Sequence, residues 1–309
     1  MTRVAIACQG GGSHTAFTAG VLCGVLDERP PDVDVVALSG TSGGAINAVL
    51  AWSGLRDGDD SLAIERVRGF WRDVSARAPV ERAANLWTQW VGRSMEAFGS
   101  VELSPYGNPT SRFAERRLAG TIRRHAGDVE EAPGTPRLYV GAVDVESGEF
   151  TVFEDGEGGV EAILASAALP ALFPAVEVDG RSYWDGLFSQ NPPIRHFTST
   201  PVEEKPEEIW VVRIDPAGRA DVPTTMAEIT DRRNELAGNL SLDQEEHAIE
   251  TINRLIEEGA LVDDRYRHIE IREVTLDLDL DATSKLDRDP AFIDRLMRRG
   301  ERAAPDFWT

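Results

Sequence analysis

The sequence predicts an α/β fold around a mainly parallel sheet, and three features indicate it. Residues 4–8 and 33–38 are short apolar runs with the length and composition of buried strands. Each run ends in a glycine-rich turn. Apolar residues at helical spacing follow, in 16–26 and in 45–52. Strand, helix, strand and helix with short links favour right-handed crossovers between parallel strands.

The remaining chain continues the alternation of strands and helices. Further strands are predicted at 138–145, 150–153, 176–184, 209–214 and 268–274. Further helices are predicted at 160–169, 226–258 and 290–299. Residues 61–126 differ, because they combine helical periodicity with few strand-like runs. We therefore expect one domain over 1–309, with a core at 3–215, a helical insertion at 61–126 and a C-terminal extension at 220–309.

The composition is that of a soluble protein with an unusual charge. Hydrophobic residues make up 41% and charged residues 28%, but the formal net charge is -21. A chain this acidic repels nucleic-acid phosphates, so no nucleic-acid partner is expected. Two of the 32 basic residues, Lys205 and Lys285, are lysines. That scarcity fits a protein kept soluble in concentrated salt, and equally a genome that favours arginine codons.

Cysteines and apolar runs predict the compartment. Cys8 and Cys23 are the two cysteines, which is too few for a disulfide framework, and they lack metal-ligand spacing. The first apolar run is too short for a signal peptide, and no run approaches about 18 apolar residues. The sequence therefore predicts a cytoplasmic protein without metal or cofactor, whose membrane contact, if it has any, is peripheral.

The strongest chemical motif follows the second predicted strand and reads Gly40-Thr41-Ser42-Gly43-Gly44. It fits G-x-S-x-G between a strand and a helix, which is the setting of a nucleophile elbow. Glycines at positions 40, 43 and 44 let the strand and the helix approach closely around a sharp turn. The helix that follows points its amides and its positive dipole end toward the serine. Ser42 is therefore the candidate nucleophile.

A second motif follows the first predicted strand and reads Gly10-Gly11-Gly12-Ser13-His14. Consecutive glycines leave backbone amides unshielded, which suits the donors of an oxyanion hole. A phosphate-binding loop is the alternative. The Walker lysine is absent, but Asp32 or Asp34 could serve as the acidic residue of a dinucleotide site. Ser42 lies on the next turn at the same edge of the sheet, which favours the oxyanion hole.

The third motif is Asp185-Gly186, at the end of a predicted strand. An aspartate in a low-dielectric pocket can act as a general base toward a serine, because burial raises its pKa. A plain Asp-Gly turn is the alternative, and such turns are common.

Together these motifs resemble the patatin-like phospholipases. They occur in the family's order over about 3–215, with a run at 165–174 similar to the family's segment before its Asp-Gly. The resemblance implies a three-layer α/β/α fold and a Ser42–Asp185 dyad without histidine. It also implies an oxyanion hole at Gly11 and Gly12, and lipid substrates.

The sequence departs from the family pattern at two places. The family usually has Arg or Lys where this chain has His14, and Gly or Ala where it has Leu187.

The histidines of the chain allow a rival assignment. In an α/β-hydrolase, His196 or His268 could complete a triad after Asp185. That fold has more strands before its elbow than 42 residues allow.

We therefore expect a serine acyl-ester hydrolase of the phospholipase A, lysophospholipase or acylglycerol lipase type. Intracellular polyhydroxyalkanoate depolymerase activity is an alternative on the same dyad, because the bond cleaved is the same. A non-catalytic nucleotide- or lipid-binding protein remains open. Trp87 and Trp90 share one face of a predicted helix, where they serve either core packing or lipid contact. The expected partner is a lipid or polyester, and the oligomeric state is open.

Overall fold

The computed structural model describes residues 1–98, 104–134, 136–170, 172–219, 221–278 and 280–309. One sheet runs through it, with strands in the order β5-β6-β3-β2-β1-β7-β8 and β4 paired to β3. The strands are β1 Thr2–Cys8, β2 Val33–Gly40, β3 Arg137–Asp144, β4 Phe150–Glu154, β5 Val176–Val178, β6 Arg181–Asp185, β7 Glu208–Arg213 and β8 Glu270–Thr275. Strands β3, β2, β1, β7 and β8 pair in parallel, whereas β4, β5 and β6 pair antiparallel. The predicted α/β fold with a mostly parallel sheet is confirmed.

Helices flank this sheet. They are α1 Ala16–Glu28, α2 Gly43–Leu55, α3 Asp60–Val74, α4 Pro79–Phe98, α5 Pro109–Ala126, α6 Gly159–Ser166, α7 Arg195–Thr198, α8 Met226–Glu257 and α9 Pro290–Ala303. Short 3₁₀ turns include Gly12–Thr15, Gly186–Phe188 and Ala282–Leu286. No helix in the described ranges is both long and apolar enough to cross a membrane.

The core lies on both faces of the sheet because helices cover both. In β1, Val4 and Ile6 face one apolar cluster, which includes residues of α1, α2 and α9. Ala5 and Ala7 face the other, which includes Leu242 of α8. A strand that is buried on both faces consists of a continuous run of apolar residues, which is why β1 could be predicted from the sequence.

The predicted insertion forms three helices, α3, α4 and α5, although 99–103 lie outside the described residues. The helix predicted at 160–169 ends earlier, at Ser166. The carbonyl of Ala168 accepts the amide of Asp185 at 3.1 Å, so this stretch pairs with the end of β6. The strand predicted at 176–184 is the hairpin β5–β6, which turns at Asp179 and Gly180.

Helices α1 and α9 pack with their backbones in close contact at glycines. A Cβ added at Gly300 would run into the carbonyl oxygen of Phe17. One added at Gly20 would run into the carbonyl oxygen of Met297. This contact joins the C-terminal segment to the first helix of the core.

Replacing Gly300 with alanine should lower the free energy of unfolding by about 1–3 kcal/mol, because the added methyl overpacks the α1–α9 contact. Gly120 is the matched control, since it is also helical but has open space around the position of a Cβ. Gly120→Ala should stabilise the protein by roughly 0.5–1 kcal/mol through lost backbone entropy. Urea unfolding of both variants measures this, and a stable Gly300→Ala protein would contradict the packing.

Candidate active site

Ser42 occupies the turn between β2 and α2 in a strained conformation. Its φ is 56° and its ψ is -126°, in a region that residues with a side chain rarely adopt. The neighbouring glycines make the turn sterically feasible. A Cβ on Gly40 would lie 2.5 Å from the amide nitrogen of Ala45, and one on Gly44 would run into the carbonyl oxygen of Cys8. The local geometry is that of a nucleophile elbow.

Asp185 lies at the end of β6 and is 3% exposed. Its Oδ1 accepts the amide of Leu187 at 2.9 Å, and the hydroxyl of Ser42 lies close enough to the carboxylate to favour its ionised form. Burial raises the pKa of Asp185 to about 7, against the lowering effects of the Leu187 amide, the Ser42 hydroxyl and the Lys285 charge. Both protonation states are therefore populated near neutral pH, and the ionised state can accept a proton from Ser42.

The sheet register brings these two residues together. Strand β3 lies between their strands, parallel to β2 and antiparallel to β6. Gly40 pairs with Val140, and Asp185 pairs with Ala142, two residues further along the same strand. Gly186 is needed here because a Cβ would lie 2.5 Å from the carbonyl oxygen of Gly141.

The glycine loop borders the same cavity of about 500 Å³ as Ser42 and Asp185. Gly10, Gly11, Gly12 and Ser13 all line it. The amide of Gly10 is already engaged, since it donates to Asn191 Oδ1 at 2.8 Å. Within the described residues, the amides of Gly11 and Gly12 donate no hydrogen bond, because they come before the first donor of a 3₁₀ turn. These two amides are free to bind an oxyanion.

His14 does not share this cavity lining. Its side chain is buried, and Nε2 lies 2.7 Å from the Oγ of Ser284 in the C-terminal segment. Burial, aided by the charge of Lys285, lowers the pKa of His14 to about 3, so the imidazole is neutral at physiological pH. The structure thus places His14 in the contact between the glycine loop and the C-terminal segment, with its ring against Phe292.

Lys285 and Asp215 line the cavity, and sequence reasoning missed both. Lys285 Nζ lies 2.7 Å from Asp215 Oδ1, and Asp215 is buried. The carbonyl of Lys285 also packs directly against Gly12. A rare lysine in an acidic chain was the one available signal, because no local motif surrounds it.

Two further hydrogen bonds hold the elbow in place. The amide of Ser42 donates to Ser166 Oγ at 3.0 Å, and the hydroxyl of Thr41 donates to the carbonyl of Gln190 at 2.6 Å. Ser166 falls in the 165–174 run that supports the family resemblance, although the sequence did not suggest its role.

Neither candidate histidine reaches Ser42. His196 Nδ1 lies 3.9 Å from a Glu154 carboxylate oxygen, and His268 Nε2 lies 3.0 Å from Glu257. No histidine occurs among the described cavity-lining residues. The described ranges also contain no group of three His, Cys, Asp or Glu side chains placed to hold a metal. The described structure instead brings Ser42 together with a buried carboxylate.

Asp185→Asn should raise the melting temperature more at about pH 8.5 than at about pH 5. The folded-state pKa of about 7 lies above the ordinary 3.8, so the contribution of Asp185 to stability is full below 3.8 and is lost as pH rises through 7. Asparagine retains an acceptor for Leu187 without the charge. Exposed Asp32→Asn is the control and should change little. Equal melting shifts of Asp185→Asn at both pH values would contradict the prediction.

Comparisons with known proteins identify the family of this chain. Residues 6–198 match the family model for patatin, the patatin-like phospholipases. No curated protein matches the sequence. Among solved structures, VipD from Legionella pneumophila aligns over 98% of this chain and 66% of its own, at 13% identity and a TM-score of 0.43. The type III effector ExoU, from Pseudomonas aeruginosa, aligns over 97% of this chain and 52% of its own, at 15% identity and a TM-score of 0.35. Since the family model spans more than half of the sequence, the chain belongs to the patatin-like phospholipase family.

Proposed function

We propose that this chain is a serine acyl-ester hydrolase acting on lipids, with Ser42 as nucleophile and Asp185 as general base. One observation carries the proposal. Ser42, held at φ 56° between a strand and a helix, lines the same cavity as the Asp185 carboxylate, which is 3% exposed and whose ionised form the Ser42 hydroxyl favours. A buried base in contact with a strained serine is the arrangement that activates a hydroxyl.

The reaction proceeds in two halves. Ionised Asp185 takes the proton of Ser42 as Oγ attacks the ester carbonyl carbon, and the protonated Asp185 then gives that proton to the leaving alcohol oxygen. The bond between the acyl carbon and the leaving oxygen breaks, which leaves an acyl-Ser42 ester. Asp185 next takes a proton from water, whose oxygen attacks the acyl carbon, and returns the proton to Ser42 Oγ as the fatty acid is released.

Stabilisation of the oxyanion falls to the amides of Gly11 and Gly12. They are unpaired in the described structure and line the cavity beside Ser42. The N-terminus of α2 adds its positive dipole end at the same place.

The lining of the cavity is evidence for a substrate with an apolar acyl chain. Its lining includes the apolar side chains of Ile46, Phe70, Trp71, Val74, Phe113, Leu118, Leu169, Leu172, Phe173, Leu187 and Leu286. Long acyl chains gain about 0.8 kcal/mol for each buried methylene, so such a lining favours lipid esters over small polar ones. A polyhydroxyalkanoate presents the same bond with shorter side groups and is the alternative substrate.

Exposed tryptophans beside the cavity support peripheral contact with a lipid surface. Trp87 and Trp90 of α4 are 64% and 61% exposed, and their ring centroids lie 5.2 Å apart. Thr88, on the same helix, lines the cavity. Amphipathic rings of this kind settle at membrane interfaces, where they would bring the cavity to its substrate.

Ser42→Ala and Asp185→Asn should each lower kcat on a p-nitrophenyl acyl ester by about 10³-fold or more, because nucleophile and base act as one unit. His196→Ala and His268→Ala are the controls and should retain most of the activity. Fluorophosphonate labelling should require Ser42. A folded histidine variant as inactive as Ser42→Ala would overturn the Ser–Asp assignment and favour a triad.

The activity should depend on the ionisation of Asp185. Since burial raises the pKa of Asp185 to about 7, kcat/KM should fall about tenfold per unit as pH drops below that value. Lys285 favours the ionised form, so Lys285→Met should raise the pKa and move this acid limb to higher pH. Lys285→Arg keeps the charge and should restore the wild-type position. Superimposable pH profiles of wild type and Lys285→Met would show that the Lys285 charge does not act on Asp185.

A further inference from the structure

The charged side chains of the cavity divide into two groups. Among the described lining residues these are Asp185, Asp215, Lys285, Arg117 and Arg288. The first three belong to the catalytic end, where Asp185 faces Ser42 and Lys285 is paired with Asp215. The two arginines have no part in that chemistry. They come from α5 and from the loop after the 3₁₀ turn Ala282–Leu286.

Arg288 is a cation without an ion-pair partner among the described residues, although it lines a largely apolar cavity. Its backbone is fixed on both sides, since its amide donates to Asn85 Oδ1 at 2.9 Å and its carbonyl accepts the amide of Ala76 at 2.8 Å. Burial lowers the pKa of Arg288 and the charge of Arg117 lowers it further, whereas the charge of Glu81 has a smaller effect in the opposite direction. The distant charge of Glu81 therefore compensates this guanidinium only in part, and no described carboxylate forms an ion pair with it.

Arg117 adds to the local positive charge. It forms an ion pair with Glu81, and the pKa of Glu81 is lowered mainly by that bond and to a smaller degree by the charge of Arg288. Two guanidinium groups thus share one carboxylate at this part of the cavity. In a chain with a net charge of -21, this is a local excess of positive charge.

A partly desolvated guanidinium is stabilised by an anion that enters with the ligand. Guanidinium groups bind phosphate through two parallel hydrogen bonds, and such charge-assisted bonds are about twice as strong as neutral ones. The other described residues that line the cavity are mainly apolar, which suits an acyl chain. A ligand that satisfies both features carries a long apolar chain and a phosphate.

We propose that Arg288, with Arg117 beside it, forms a subsite for the phosphate of a lipid, so that the cavity selects phosphate-bearing lipid esters over neutral acylglycerols and polyesters. The selectivity in hydrolysis rests on the proposed function. The binding of phosphate does not, because a phosphate-bearing amphiphile would occupy the subsite whether or not Ser42 reacts.

The kinetic test compares two esters with the same acyl chain, 1-palmitoyl-lysophosphatidylcholine and 1-palmitoylglycerol, in micelles of a neutral detergent. The ratio of their kcat/KM values should favour the phospholipid in the wild type. Arg288→Gln should lower that ratio about tenfold or more, as expected when a charge-assisted hydrogen bond is lost. Arg288→Lys keeps the charge and should lower it less.

Arg116→Gln is the matched control. It removes the same charge from an exposed arginine next to Arg117 that does not line the cavity. Its ratio should equal that of the wild type. The proposal is overturned if folded Arg288→Gln keeps the wild-type ratio, if Arg116→Gln lowers it equally, or if the wild type prefers palmitoylglycerol.

A binding test separates this proposal from the proposed function. Ser42→Ala protein is titrated with dodecylphosphocholine and with dodecyl maltoside, below their micelle concentrations, and tryptophan fluorescence is followed. The phosphocholine should bind more tightly, and adding Arg288→Gln should abolish the difference. If this binding difference is observed but the wild type hydrolyses no ester, the proposed phosphate subsite is supported and the proposed hydrolase activity is rejected. Equal binding of both amphiphiles would reject the subsite.

Discussion

The burial of Asp185 against Ser42 is the constraint on which the site depends. An ionised carboxylate away from water is unfavourable unless hydrogen bonds and a nearby cation compensate it. Here the amide of Leu187, the hydroxyl of Ser42 and the charge of Lys285 all act in that direction, and burial still raises the pKa of Asp185 to about 7. The fold therefore holds a carboxylate with a pKa near neutral pH, which suits the general base that we propose.

Much of this arrangement could be predicted from the sequence, because it is local. The G-x-S-x-G turn at Ser42 and the glycine loop each follow a continuous apolar run and precede a helix, so the chain order alone implies strand, turn and helix. Parallel strands then bring both turns to one edge of the sheet. Asp185 is different. Its Asp-Gly pattern is common to many turns, and the family resemblance singled it out, whereas the register of β3 against β6 explains its position.

The remainder could not be predicted, because it depends on contacts between residues far apart in sequence. Ser284 and Lys285 reach the glycine loop from a short 3₁₀ turn that carries no recognisable motif. The side-chain direction of His14 depends on Ser284, so the loop sequence alone could not show that its imidazole leaves the cavity. Arg288 likewise lies in a loop, and its proposed role follows from the lack of an ion pair with any described carboxylate. A sequence does not record which charges remain unpaired after folding.

The site extends beyond the part of the chain that matches the family model. Residues 6–198 contain Ser42, Asp185 and the glycine loop, whereas Asp215, Lys285 and Arg288 all lie after that range. The later residues include neither the proposed nucleophile nor the proposed base. They supply charge, and charge in a cavity of low polarity acts more strongly than the same charge in water. A net charge of -21 therefore says little about this cavity, where Lys285 favours the ionised form of Asp185 against the effect of burial and where, as we propose, Arg288 influences the choice of lipid.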